Sequence, residues 1–171
     1  MDIREFKIKV FPLKDRMFRL AHQMLNDAED ARDTVQDAFI RLWNIREKLD
    51  QYRSVEALAV VTTRNLCLDR IKSKKYMTGR IENHKDEVEK ALNDPKKDLS
   101  DVVQKIKEII STLPEQQKTI IHLRDIEGFE FDEIAQILGM NENAIRVNLS
   151  RARKKIREIL LKNKLYEFQS N

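Results

Sequence analysis

Between Arg146 and Arg157 the chain carries six cations, Arg146, Arg151, Arg153, Lys154, Lys155 and Arg157, with no acid among them. Cations at that density can neutralise phosphates, and a guanidinium can also donate in pairs to the edge of a guanine. A second basic group, Arg64, Arg70, Lys72, Lys74 and Lys75, stands against Asp69 alone at the end of a helical pattern running from Val55 to Lys75. A third group is acidic: Asp30, Asp33 and Asp37 project from a helix whose opposite side is apolar. Such carboxylates can pair with cations on a partner helix or simply face water. The whole chain is nearly balanced, with 33 Lys and Arg against 29 Asp and Glu, so each crowding is local and needs a local explanation.

The residues that enzymes need are not grouped in this way. With three Gly there is no phosphate-cradling loop, and neither a nucleophile elbow nor an HExxH motif occurs. His22, His84 and His122 lie far apart, and the single Cys67 has no partner for a disulfide or for a zinc site. The expectation is a protein that is not an enzyme and has no catalytic residue, no cofactor and no metal, kept in a reducing, cytoplasmic setting. The opening MDIREFKIKV mixes charges and lacks the apolar core of a signal peptide. No apolar run approaches the roughly 20 residues of a membrane helix, so direct membrane insertion is not expected.

The elements that must position these charges read as all-α. Three Gly and three Pro are too few for the turns of a β sandwich, and apolar residues recur at helical spacing. Phe18 to Trp43 reads as a long helical pattern with Ala31, Val35, Ala38, Phe39 and Leu42 on one side, capped by Asn26 or Asp27. From Met77 to Asp98 about half the residues are charged, and Gly79 and Pro95 interrupt. That segment, 77–98, reads as a flexible charged linker, with room for a short helix around Glu87 to Leu92. It joins two small helical domains, 1–76 and 99–171. In the second, Pro114 ends one helix and another runs from Pro114 or Glu115 to Gly128. Then Ile134, Ala135, Leu138, Gly139, Met140 and Ile145 have the spacing of a helix-turn-helix, with Asn141 as cap of its second helix. Ile145, Leu149, Ala152, Ile156 and Leu160 form one stripe of that helix, while Arg146, Ser150, Arg151, Lys154 and Arg157 project elsewhere. A charged face alone usually meets only water. Behind a helix-turn-helix it points to the major groove of DNA.

Two separated stretches resemble a bacterial sigma factor of the sigma-70 family, extracytoplasmic function group. MFRLAHQMLNDAEDARDTVQDAFIRLW, continuing to TTRNLCLDRIKSKK, is similar to the family's second conserved region, and LPEQQKTIIHLRDIEGFEFDEIAQILGMNENAIRVNLSRARKKIRE to its fourth. The resemblance implies a dissociable subunit that binds the RNA polymerase core, directs it to promoter DNA and helps open the strands. The family's D-x-x-D-x-x-Q-x-x-F face docks on polymerase; here it is Asp30, Asp33, Gln36 and Phe39, with Asp37 alongside. The loop NIREKLDQYRS and the helix after it would engage the minus-ten element. Arg64, Asn65, Arg70, Lys72, Lys74 and Lys75 suit the melted strand, and Tyr52 is either a stacking partner or a packing residue. For the minus-thirty-five element the implied contacts are Arg146, Val147, Asn148, Ser150 and Arg151, with Lys154, Lys155 and Arg157 on phosphates. Leu58 and Glu130 stand where relatives often have Trp and a Ser or Thr cap. A monomer when free, and an anti-sigma partner, are further implications.

A stand-alone regulator that binds DNA through the same helix-turn-helix is the competing expectation. It accounts equally well for residues 114–160, and leaves the acidic helix and the basic end of the third helix without a purpose.

Overall fold

A computed structural model describes residues 1–78 and 97–169, and every regular element among them is helical. The chain divides into two compact units whose boundary falls outside the described residues.

The amino-terminal unit opens with helix α1, Ile3–Lys9. Asp2 and Glu5 cap it reciprocally: the Glu5 amide donates to Asp2 Oδ1 at 2.8 Å and the Asp2 amide to Glu5 Oε2 at 3.1 Å. After a 3-10 turn, Phe11–Leu13, come α2, Lys14–Leu25, and α3, Ala28–Asn44. The continuous pattern from Phe18 to Trp43 is therefore two helices. Asn26 takes the left-handed conformation at φ 53° and closes α2, while the Asp27 side chain accepts from the Asp30 amide at 2.8 Å and starts α3. Of the two candidate N-caps Asp27 is the one that acts, and Asn26 instead ends the preceding helix at the same corner. A second 3-10 turn, Arg46–Gln51, leads to α4, Val55–Thr78, whose first turn is capped by Ser54 Oγ accepting from the Ala57 amide at 3.1 Å.

Helices α2, α3 and α4 pack together around Met17, Ala21, Ala31, Ala38, Leu42, Ala59 and Cys67, all fully buried. The alanines at these crossings let the helix backbones approach while Met17 and Leu42 fill the remaining volume. Thr34 and Thr63 are buried without loss of hydrogen bonding, because each hydroxyl donates to the carbonyl four residues back, Asp30 at 2.7 Å and Ala59 at 2.8 Å. Leu49, also fully buried, pins the second 3-10 turn to this core.

In the carboxy-terminal unit α5, Lys97–Ser111, is followed by Pro114 at the N-cap of α6, Glu115–Ile121. The helix expected to run on to Gly128 instead widens at His122–Ile126 into a π turn, where the Glu127 amide donates to the His122 carbonyl at 2.9 Å. The His122 and Glu127 side chains are buried, with Nε2 3.3 Å from Oε1. Helix α7, Phe131–Leu138, ends on Gly139 at φ 63°, and Asn141 starts α8, Glu142–Gln169, by accepting from the Ala144 amide at 2.7 Å. Glu130 serves as the N-cap of α7, and its amide donates to Glu133 Oε2 at 2.9 Å. Ile120, Leu123, Ile134, Ile137, Ile145, Leu149 and Ala152 close the core.

Helix α4 runs to Thr78 and α5 begins at Lys97, each reaching inside the expected linker of 77–98. The remainder of that linker, with the short helix expected at Glu87 to Leu92, lies outside the described residues.

Candidate functional site

The carboxy-terminal surface is built by α7 and α8. Ile145, Leu149 and Ala152 are buried, and Ile156 and Leu160 half-buried, so the expected stripe of α8 faces the core. Arg146, Val147, Ser150, Arg151, Lys154, Lys155 and Arg157 are exposed. Asn148 is half-buried and its amide nitrogen donates to the Ala144 carbonyl at 2.8 Å, which leaves its side-chain oxygen and the second N–H uncommitted by that bond.

Two of the six cations in this segment reach side chains outside their own helix. Arg153 reaches back to the π turn, where Nε donates to Asp125 Oδ2 at 3.1 Å and Nη2 bonds the second oxygen. This two-pronged bond raises the Arg153 pKa further above its usual value. Arg146 lies with its guanidinium 4.1 Å from the centre of the Phe131 ring and 3.4 Å from Glu142 Oε2. Arg124 lies 4.6 Å from the centre of the same ring, with Nη1 donating to the Phe129 carbonyl at 2.7 Å and to Glu130 Oε2 at 3.0 Å.

The amino-terminal unit regroups the acidic and basic residues that the sequence kept apart. Arg70 Nη2 donates to Asp37 Oδ2 at 2.8 Å, and Arg70 Nη1 lies 4.0 Å from Asp30 Oδ1. Lys74 bonds Asp30 Oδ2. Asp30 and Asp37, expected to face a partner, and Arg70 and Lys74, expected to face a nucleic-acid strand, therefore meet one another across α3 and α4. The pairing follows from the packed core, which brings those helix faces side by side. Asp33 and Gln36 remain exposed on α3, and Phe39 is half-buried with its ring centre 5.6 Å from that of Phe11. On α4, Asn65, Lys72 and Lys75 are exposed and Arg64 is half-buried. Tyr52 is 46% exposed just after the turn that Leu49 anchors, so part of its surface is open to a partner.

These arrangements give one unit a polar helical face beside a basic one, and give the other a helix-turn-helix with an open basic face. Among the described residues no group of His, Cys, Asp and Glu could hold a metal ion, and no helix is long and apolar enough to cross a membrane.

Residues 12–76 match the family described as Sigma-70 region 2, and residues 103–156 match that described as Sigma-70, region 4. The chain belongs to the sigma-70 family. Its relatives place it in the extracytoplasmic function group. It is 27% identical to the ECF RNA polymerase sigma factor SigE of Mycolicibacterium smegmatis, over 91% of this chain and 62% of that protein. It is 25% identical to SigW of Bacillus subtilis, over 86% of this chain and 84% of that one. The fold is also that of solved sigma-factor structures. RpoE in complex with the anti-sigma factor NepR from Bartonella quintana superposes with a TM-score of 0.78 at 19% identity, covering 92% of this chain and 98% of that one. CnrH in complex with the cytosolic domain of CnrY gives a TM-score of 0.63 at 21% identity, covering 93% and 89%. As a sigma factor the chain takes part in promoter-specific transcription initiation with RNA polymerase. The region 2 match also accounts for the amino-terminal half that a stand-alone regulator leaves without a purpose.

Proposed function

We propose that this sigma factor docks on the polymerase core through α3 and carries two separate DNA-reading surfaces, one in each unit, acting in the cytoplasm without catalysis of its own. Residues 1–76 form the docking and minus-ten unit, residues 99–171 the minus-thirty-five unit, and the charged segment 77–98 is their tether. Exposed Asp33 and Gln36 lead the docking face, and Asp30 and Asp37 border it from within their ion pairs. Tyr52 stacks on a base of the minus-ten element while Arg64, Asn65, Lys72 and Lys75 follow the strand, with Arg70 and Lys74 at the edge of that surface. In the major groove Arg146, Val147, Asn148, Ser150 and Arg151 meet the minus-thirty-five bases, and Lys154 and Lys155 hold phosphates. An anti-sigma protein is a natural restraint, since the related RpoE structure contains one. The free chain is a monomer.

One observation carries the reading. The buried stripe of α8 and its exposed Arg146, Ser150 and Arg151 lie on the helix that follows the Gly139 turn, in a chain that also contains a region 2 unit. The test is to sequence transcripts initiated in vitro by bacterial core polymerase supplemented with this chain. Start sites should fall downstream of two shared elements, and scattered starts with no common upstream sequence would refute promoter selection. In parallel, Asp33→Arg and Gln36→Ala should weaken core affinity with unchanged helicity. Full affinity in both variants would remove α3 from the docking surface.

A further inference from the structure

The guanidinium of Arg146 is exposed on the side of α8 assigned to DNA, yet it is not loose. It lies 4.1 Å from the centre of the Phe131 ring, which comes from the first residue of α7, and Glu142 Oε2 is 3.4 Å away on its own helix. The ring is itself held. It is half-buried at the start of α7, and Arg124 lies 4.6 Å from its centre, tied by the Phe129 carbonyl at 2.7 Å and the Glu130 carboxylate at 3.0 Å. Thus α7 presents a held aromatic surface to a side chain of α8.

An exposed arginine ordinarily samples many rotamers, and a paired contact to a base edge has to select one of them. A cation over an aromatic face is favoured at an exposed site, and the planar guanidinium can stay stacked while its edge donates to a base. Preordering of this kind improves binding by lowering what must be ordered when the partner arrives. We infer that Phe131 is a positioning residue for promoter readout: it touches no base, but its ring sets the direction in which Arg146 presents its donors, and so sharpens preference at the base pair that Arg146 reads. The inference rests on the assignment of Arg146 to the minus-thirty-five element.

The experiment uses core polymerase saturated with the full chain on a promoter library randomised through the minus-thirty-five element. The variants are Arg146→Ala, Phe131→Leu, Phe131→Met, Phe131→Tyr and the double variant Phe131→Leu with Arg146→Ala. Arg146→Ala should flatten preference at one base pair. Phe131→Leu should reduce preference at that same pair by about two- to fivefold, the size of an exposed cation–aromatic contact, and leave the other positions unchanged. Phe131→Tyr, which keeps the ring, should retain the preference, and the double variant should be no flatter than Arg146→Ala alone. Met matches the burial of Phe without a ring, so Phe131→Met carries the comparison if the leucine variant loses helicity. If Arg146→Ala flattens a position that both ring-deleting variants preserve, the positioning role is overturned while Arg146 remains a reader. If Arg146→Ala flattens nothing, the assignment of Arg146 fails and the inference goes with it. A loss that is equal on every sequence in the Phe131 variants would mark Phe131 as purely structural, and would equally overturn the inference.

Discussion

Removing Arg70 should destabilise the amino-terminal unit through two carboxylates at once. The Arg70 side chain is 30% exposed, Asp30 24% and Asp37 49%, so the pairs sit at a partly screened surface. Two unit charges at about 4 Å attract by about 1 kcal/mol in water and about 4 kcal/mol at an effective dielectric of about 20. Side-chain ordering and exposure bring measured surface pairs down to about 0–1 kcal/mol. The 2.8 Å bond to Asp37 belongs at the upper end, and loss of Arg70 also leaves Asp30 and Asp37 on one helix with one fewer cation between them. Arg70→Ala should therefore cost about 1–2 kcal/mol, of which about 0.5–1 kcal/mol is the coupling to Asp37 recovered in a double-mutant cycle with Asp37→Ala.

The assay is urea unfolding followed by fluorescence of Trp43, the single tryptophan of the chain. Its ring meets the edge of Phe6 at 5.1 Å between centres and lies 4.4 Å from the Arg46 guanidinium, so it reports on this unit alone. With a slope of about 1–3 kcal/mol per molar urea, the midpoint for Arg70→Ala should fall by roughly 0.3–2 M. In 1 M salt, where the screening length is about 3 Å, the coupling should shrink markedly. A coupling indistinguishable from zero at low salt, or one of unchanged size at 1 M salt, would refute the electrostatic account of how α3 and α4 are joined.

Gly139 occupies φ 63°, and a Cβ there would meet nothing within 4 Å, so Gly139→Ala should cost about 1–2 kcal/mol through backbone strain alone, and Gly139→Asn less, as read by thermal unfolding of the carboxy-terminal unit. Arg153→Ala and Asp125→Ala should lower that unit's stability similarly and non-additively without altering minus-thirty-five preference, which promoter-library transcription would show. Burial pushes the Cys67 thiol up to about 12, with the nearby Arg70 charge opposing the rise. A folded-state pKa above the unfolded value of about 8.5 means full stability below that pH and a loss approaching about 1.4 kcal/mol per pH unit as pH rises toward 12. The slope should vanish in Cys67→Ala, measured by urea unfolding between pH 8 and 10.5, where Tyr and Lys titration common to both variants cancels.

The parts of this structure that repeat with the helix period were legible in the sequence. Ile145, Leu149 and Ala152 fall on one face at 3.6 residues per turn, and the Gly139 turn and Asn141 cap use residue types that suit those backbone positions. The corner at Asn26 and Asp27 was half-legible: either residue announces a helix end, but a stripe continues across the corner because both α2 and α3 face the same core. The π turn at His122–Ile126 left no trace, since one extra residue per turn alters no propensity. The pairing of Asp37 with Arg70 joins positions 33 apart, and nothing local in either helix names the other. Phe131 drew no reading from the sequence, because only the fold places its ring beside Arg146.

Charge counting alone would also have misjudged α8. Arg153 and Lys154 are neighbours in a uniformly basic run, but successive side chains on a helix point about 100° apart. That rotation turns Arg153 toward Asp125 and leaves Lys154 exposed. The same rule operates in α3, where Asp37 meets Arg70 while Gln36 beside it is exposed. In both units an ion pair drawn from distant segments joins elements that the apolar core has already brought together, and exposed groups stand next to it on the same helix. Paired charges and exposed charges are therefore interleaved along each helix rather than segregated.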